Sequence, residues 1–113
     1  MTVTARNLVP AKLVENTQTT QYIVPSNASV TIIDKFTATN ISGSTATISV
    51  NLVTGSGTPG DNNLITKTKS LNPAEVYTFP ELVGQIMPTT SFISTIASAA
   101  SAINMRVSGR EVT

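Results

Sequence analysis

Gly55, Gly57 and Gly60 in "GSGTPGDNN" fit G-x-G-x-x-G, the spacing by which nucleotide-binding folds bring backbone N–H groups against a pyrophosphate. That chemistry needs a helix opening at the last glycine, whose first N–H groups hold the phosphate. Here Pro59 interrupts the motif and "DNNLITKTK", a strand-like run, follows. The segment therefore reads as a hairpin loop. Asp61, Asn62 and Asn63 within it offer oxygens to calcium, but one carboxylate is a poor start for an ion that takes about six to eight oxygen ligands. A solvated turn is the better reading.

The chain has no histidine and no cysteine. It therefore lacks the usual ligands of zinc, haem and iron–sulfur centres, and the Ser–His and Cys–His nucleophile systems. Six carboxylates remain for acid–base work, and no two are close in sequence. No enzymatic activity and no cofactor are expected. Lys67 and Lys69 share one face of a strand and read as a solvated or edge-protecting pair. Arg106 and Arg110 bracket the last strand, where Glu75, Glu81 or a partner's carboxylate could meet them.

The seven basic residues are scattered, the net charge is +1, and two tyrosines and three phenylalanines lie far apart. Nucleic-acid binding wants a basic stripe with stacking platforms, so no nucleic-acid partner is expected. No stretch approaches the roughly 18 apolar residues of a membrane-spanning helix, so no membrane partner is expected either. "MTVTARNLVPAKLV" lacks the pattern of a secretory leader. The sequons at Asn27 and Asn40 read as chance matches in a chain that is roughly a quarter serine and threonine.

Threonine threaded through valine and isoleucine favours half-buried strands. Residues 3–8 form a weak strand ending near Pro10, and "TTQYIV" (19–24) stops at Pro25-Ser26-Asn27. In "SVTIIDKFTATN", Val30 and Ile32 are out of phase with Ile33, which predicts a bulge near Ile32-Ile33. "STATISVNLVT" alternates most clearly, Ala46, Ile48, Val50 and Leu52 opposing Thr45, Thr47, Ser49 and Asn51. "NISGS" before it reads as a short hairpin connection. "LITKTKSL" and "VYTF" are strands separated by the turn "NPAE". "PELVGQIMP" reads as either a single helical turn or a buried loop.

"FISTIASAASAINMRVSGREV" (92–112) poses a choice, because its alanine-rich centre favours helix and its flanks favour strand. Phe92, Ser94 and Ile96 alternate with Ile93, Thr95 and Ala97, as do Ile103, Met105 and Val107 with Asn104, Arg106 and Ser108. A helix would scatter Ile93 and Met105 and fill its interior with β-branched residues and serine. The segment is therefore predicted to be a C-terminal hairpin turning at "SAAS". The fold class is all-β, an antiparallel β-sandwich or jelly roll of about eight short strands. Residues 1–16 form an N-terminal arm or edge strand, and residues 17–113 the sandwich domain.

"VNLVTGSGTPGDNNLI", "LNPAEVYTFPELVGQIM" and "IASAASAINMRVSGREVT" together resemble small accessory virion proteins of tailed bacteriophages and prophages. The resemblance covers about residues 30–112 and leaves the first 29 residues untouched. It implies a β-sandwich capsid cement or decoration protein without enzymatic activity. It further implies homo-oligomerisation, binding to the major capsid protein or other virion proteins, and residence in the virion after assembly in the host bacterial cytoplasm. A neck, tail or fibre-associated part, structural or receptor-binding, is the alternative. A glycan-binding version of it would need Tyr22 and Tyr77 as exposed neighbours. Contact residues are expected in the arm (Val3, Leu8, Val9, Leu13, Val14) and in "ELVGQIM" (Leu82, Val83, Ile86, Met87).

Overall fold

Alternating β-branched and polar residues, punctuated by proline, glycine and asparagine, build strands throughout. The computed structural model describes residues 1–113 and contains nine strands and no α-helix. They are β1 (Val3–Leu13), β2 (Thr19–Ile23), β3 (Val30–Asn40), β4 (Ala46–Val53), β5 (Leu64–Leu71), β6 (Val76–Tyr77), β7 (Ile86–Pro88), β8 (Phe92–Ala97) and β9 (Ile103–Val112). One sheet has the order β1-β9-β3-β6, with β7 also on β3; the other has the order β2-β8-β4-β5. Every pairing is antiparallel.

The pairings are nested. β1 joins β9, β2 joins β8, β3 joins β6, and β4 joins β5, so that alternate rungs of one long antiparallel ribbon fall in alternate sheets. That winding is a jelly roll. It also revises one expectation: residues 35–53 are two strands, but "NISGS" is no hairpin turn, because β3 and β4 lie in different sheets. The C-terminal strand–turn–strand unit forms as expected. Its arms, however, pair with β2 and β4 on one side and with β1 and β3 on the other, so the serine-alanine turn carries the chain from sheet to sheet. The ninth strand comes from "PELVGQIMP". Its first half makes a tight turn, with Leu82 and Val83 N–H donating to the Phe79 carbonyl, and its second half extends along β3 as β7.

Residues 1–16 are an edge strand rather than an arm. β1 pairs with β9 from Val3↔Val112 to Leu13↔Asn104, and Val9 and Val14 sit in the common core. Almost every irregularity of register falls in such an edge. β1 carries two extra residues opposite β9, β2 one opposite β8, and β5 two opposite β4. Pro10 and a positive φ of 44° at Thr68 add to the disruption. Bulges twist an edge and break its row of free N–H and C=O groups, so these edges are poor templates for another strand. The remaining bulge is at Asp34 in β3, slightly later than the expected site near Ile32-Ile33. It switches the inward phase from Thr31 and Ile33 to Phe36, Ala38 and Asn40.

Between the sheets, Phe36 and Phe79 pack with ring centroids 4.6 Å apart, surrounded by Ile33, Ile48, Val50, Leu71, Ile93, Ile103 and Met105. Ala46, Ile48 and Val50 point inward as their alternation requires, while Leu52 sits half-buried at the rim. One polar residue closes this core at its far end. Asn40, fully buried, donates to the carbonyls of Ser44 and Leu71 at 2.8 Å each and accepts from the Ser42 N–H and hydroxyl. It thereby ties the β3–β4 crossing to the β5–β6 turn.

Gly109 lies where β1 and β3 both crowd β9. A Cβ there would run into the Ile32 carbonyl oxygen and come within 2.8 Å of Leu8 Cδ1. Gly109→Ala is therefore expected to cost at least about 2 kcal/mol in urea unfolding, because backbone as well as side chain must move. A loss under about 0.5 kcal/mol would show that these strands separate easily. Asn40→Ala should cost about 1–3 kcal/mol, since the buried Leu71 carbonyl loses its donor and the part-buried Ser44 carbonyl loses one as well; an unchanged unfolding midpoint would refute its role as the tie.

Candidate functional site

The inward phase of β9 runs Ile103, Met105, Val107, Gly109 and then Glu111. A carboxylate thus occupies a core position at the end of the sandwich, where it needs partners. Two strands supply them, and a third supports one of the two. Arg6 of β1 donates from Nε to Glu111 Oε1 at 2.9 Å, and Tyr22 of β2 donates its hydroxyl to Oε2 at 2.6 Å. Thr31 of β3, paired with Glu111 across the sheet, lies 2.8 Å from the same phenol oxygen. Above this cluster opens a cleft of about 480 Å³ lined by Thr4, Arg6, Asn7, Tyr22, Asn27 and Glu111 among others.

Burial and the adjoining Glu111 carboxylate push the Tyr22 phenol up to about 12 from an ordinary 10.0. A second set of groups surrounds Glu81. Its carboxylate accepts from Thr66 Oγ1 at 2.5 Å and Tyr77 Oη at 2.7 Å, and Lys69 Nζ sits 4.6 Å from the centre of the Tyr77 ring. Burial alone would raise the Glu81 carboxyl, but the two hydroxyl donors, a backbone hydrogen bond and the Lys69 charge together outweigh it and hold it below 4.5. Glu15 is likewise held low, by Gln21 and Lys12. Arg110 grips Asp34 with Nε and Nη2, while Arg106 makes no ion pair.

The nine contact residues expected from sequence divide in two. Leu8, Val9, Val14, Leu82 and Met87 are core residues with at most 8 % of their surface exposed, so they present no docking face. Val3, Leu13, Val83 and Ile86 are 51, 41, 47 and 63 % exposed. Val3 and Leu13 stand at opposite ends of β1, about 30 Å apart at strand rise. Val83 and Ile86 instead lie three residues apart, and Ile86 shares a groove of about 190 Å³ with Ile65, Leu52 and Met87. Ile65, 39 % exposed on β5, extends this strip and was not expected from sequence.

Tyr22 and Tyr77 are both half-buried and are not neighbours. Their contacts on β3, Thr31 and Ala38, are seven residues apart, on the order of 20 Å. The glycine loop folds back on the second sheet. A 3-10 turn, Asp61–Asn63, follows Gly60, and Asn63 Oδ1 accepts from Asn51 Nδ2 at 2.7 Å and from the Gly60 N–H at 3.0 Å. The helix that phosphate binding requires does not follow, since β5 starts at Leu64.

Glu111 was legible in principle, as the residue that continues the apolar alternation of β9. Arg6, 105 positions away, carried no such signal.

The Tyr22 hydroxyl yields a pH prediction with a definite sign. The folded state keeps its proton above the pH at which the unfolded chain releases it, so this stabilisation is complete below pH 10 and is lost as pH rises towards about 12. Alkaline absorbance titration should show no phenolate step at 10.0 that Tyr22→Phe removes; such a step would contradict the geometry. On the acid side, Glu15 and Glu81 contribute stability above their ordinary 4.5 that is lost on further acidification.

Compared with protein-family models, curated proteins and solved structures, the chain matches none of them.

Proposed function

We propose that this chain is a structural virion protein of a tailed bacteriophage, a cement or decoration protein that binds and reinforces the capsid shell. The observation that carries this reading is the exposed apolar pair Ile86 and Ile65, which line one groove, with Val83, also exposed, three residues before Ile86 in sequence. Bulged edges disfavour strand addition, so a partner is engaged through these side chains. A stable contact buries on the order of 1,000 Å² or more, shared between copies of this chain and the major capsid protein. The sequence resemblance supports the same reading, and jelly rolls recur in viral capsid proteins, a fold-level analogy only. The protein acts as a homo-oligomer, without enzymatic activity, in particles assembled in the host bacterial cytoplasm. The second reading, a neck, tail or fibre-associated module, is favoured by the polar cleft at Glu111.

Light scattering should give a defined oligomer for the purified protein, and co-sedimentation with empty shells of the same phage should give stoichiometric binding. Ile86→Asp with Val83→Asp should weaken shell binding about tenfold or more while leaving the unfolding midpoint in place, because both side chains are largely exposed. A monomer that ignores assembled shells would refute the proposal.

A further inference from the structure

The cleft over Glu111 has features that holding the strands together does not require. Glu111 accepts one hydrogen bond at each oxygen, whereas a carboxylate has room for about four. Arg6 makes one side-chain hydrogen bond, from Nε, and its side chain is 59 % exposed, so its terminal nitrogens remain free to donate. Asn27, exposed at the mouth, adds an amide that donates and accepts. Glu111 itself is 89 % shielded as a side chain, so a ligand that reaches it meets a fixed acceptor rather than a solvated one. Pro25 adds an apolar surface at the wall.

The charges decide the ligand class. Arg6 and Glu111 are the only charged residues lining the cleft, and they neutralise one another. An anion at Arg6 would face the Glu111 carboxylate, and a cation at Glu111 would face the guanidinium. A neutral ligand whose groups both donate and accept suffers neither repulsion. Vicinal hydroxyls are such groups, one accepting from Arg6 while its neighbour donates to Glu111. A volume of about 480 Å³ falls within the range of small-ligand sites, roughly 300–1,000 Å³.

We propose that the cleft between β1, β2 and the end of β9 binds a neutral saccharide, with Glu111 as the hydroxyl acceptor and Arg6 and Asn27 as donors. The site is separate from the Val83–Ile86 strip and does not rest on shell binding. It also needs no pair of tyrosines.

The test is an NMR titration of the isotope-labelled protein with a panel of neutral mono- and disaccharides, alongside sialylated and phosphorylated sugars. At least one neutral sugar should shift the Arg6 Nε and Asn27 side-chain signals saturably, and the acidic sugars should bind more weakly. Asn27→Ala alters an exposed side chain and should fold normally. Arg6→Ala also removes a partner of the buried Glu111 and should lower the unfolding midpoint, so its binding is read at a temperature where the variant is folded. Each should weaken that binding about tenfold, equal to about 1.4 kcal/mol. Glu111→Gln tests the acceptor and should abolish it. The proposal is overturned if no neutral sugar gives a saturable shift, if acidic sugars bind tighter, or if Arg6→Ala and Asn27→Ala both leave affinity unchanged. Shell co-sedimentation of the same variants should be unaltered, which keeps failure of this site distinct from failure of the cement reading.

Discussion

β9 is hydrogen-bonded along both of its edges, to β1 on one side and to β3 on the other, and the rest of the first sheet is arranged around it. Three strands can approach so closely only because position 109 has no side chain. Both neighbours bulge beside it, β1 after Arg6 and β3 at Asp34. The bulge in β3 turns Phe36 and Ala38 inward, and Phe36 then meets Phe79 at the centre of the core. A local absence of volume in one strand thus sets the phase of its neighbour and, through it, the packing between the sheets.

Each end of the sandwich carries a polar residue in an apolar phase. Asn40 and Glu111 lie near opposite ends of the first sheet, against Ile103 and Thr31 respectively. Their partners differ in kind. Asn40 is surrounded by backbone carbonyls, a hydroxyl and an N–H that saturate its amide, so that end is sealed. Glu111 is held by side chains from separate strands, one of them mostly in solvent, so that end is open. The sealed end serves stability, and the open one offers chemistry.

Local pattern reveals strands well in this chain and neighbours poorly. The alternation of "ATISV" and of "INMRV" placed the right side chains inward, since each follows from a period of two. Partner choice depends on nesting, and no local signal marks it. "NISGS" has the composition of a hairpin turn yet joins strands in different sheets, because a crossing and a hairpin need the same small polar residues. The expected contact residues divide into buried and exposed for a related reason. Leu8, Val9, Leu82 and Met87 are as apolar as Val83 and Ile86, and only the path of the chain decides which are covered. Ile65 does follow the alternation, opposite the buried Thr66 and on the same outward side as Lys67, but nothing local marks an outward isoleucine as a contact residue.

Nesting also has a kinetic meaning. Only β4 and β5 pair across a short loop, so only they can zip together cheaply; the outermost rung joins residues more than a hundred positions apart. Chains dominated by such distant pairings fold slowly, in the range of milliseconds to seconds. During synthesis the consequence is sharper. β1 and β3 have no common partner until residues 103–112 leave the ribosome, so until then β1 has no neighbour and the first sheet is limited to β3 with β6 and β7. Its strands must wait, with their N–H and C=O groups open, for the one that joins them. The bulges that blunt the edges of the finished domain would then also guard the unfinished one against pairing with its neighbours on the same message.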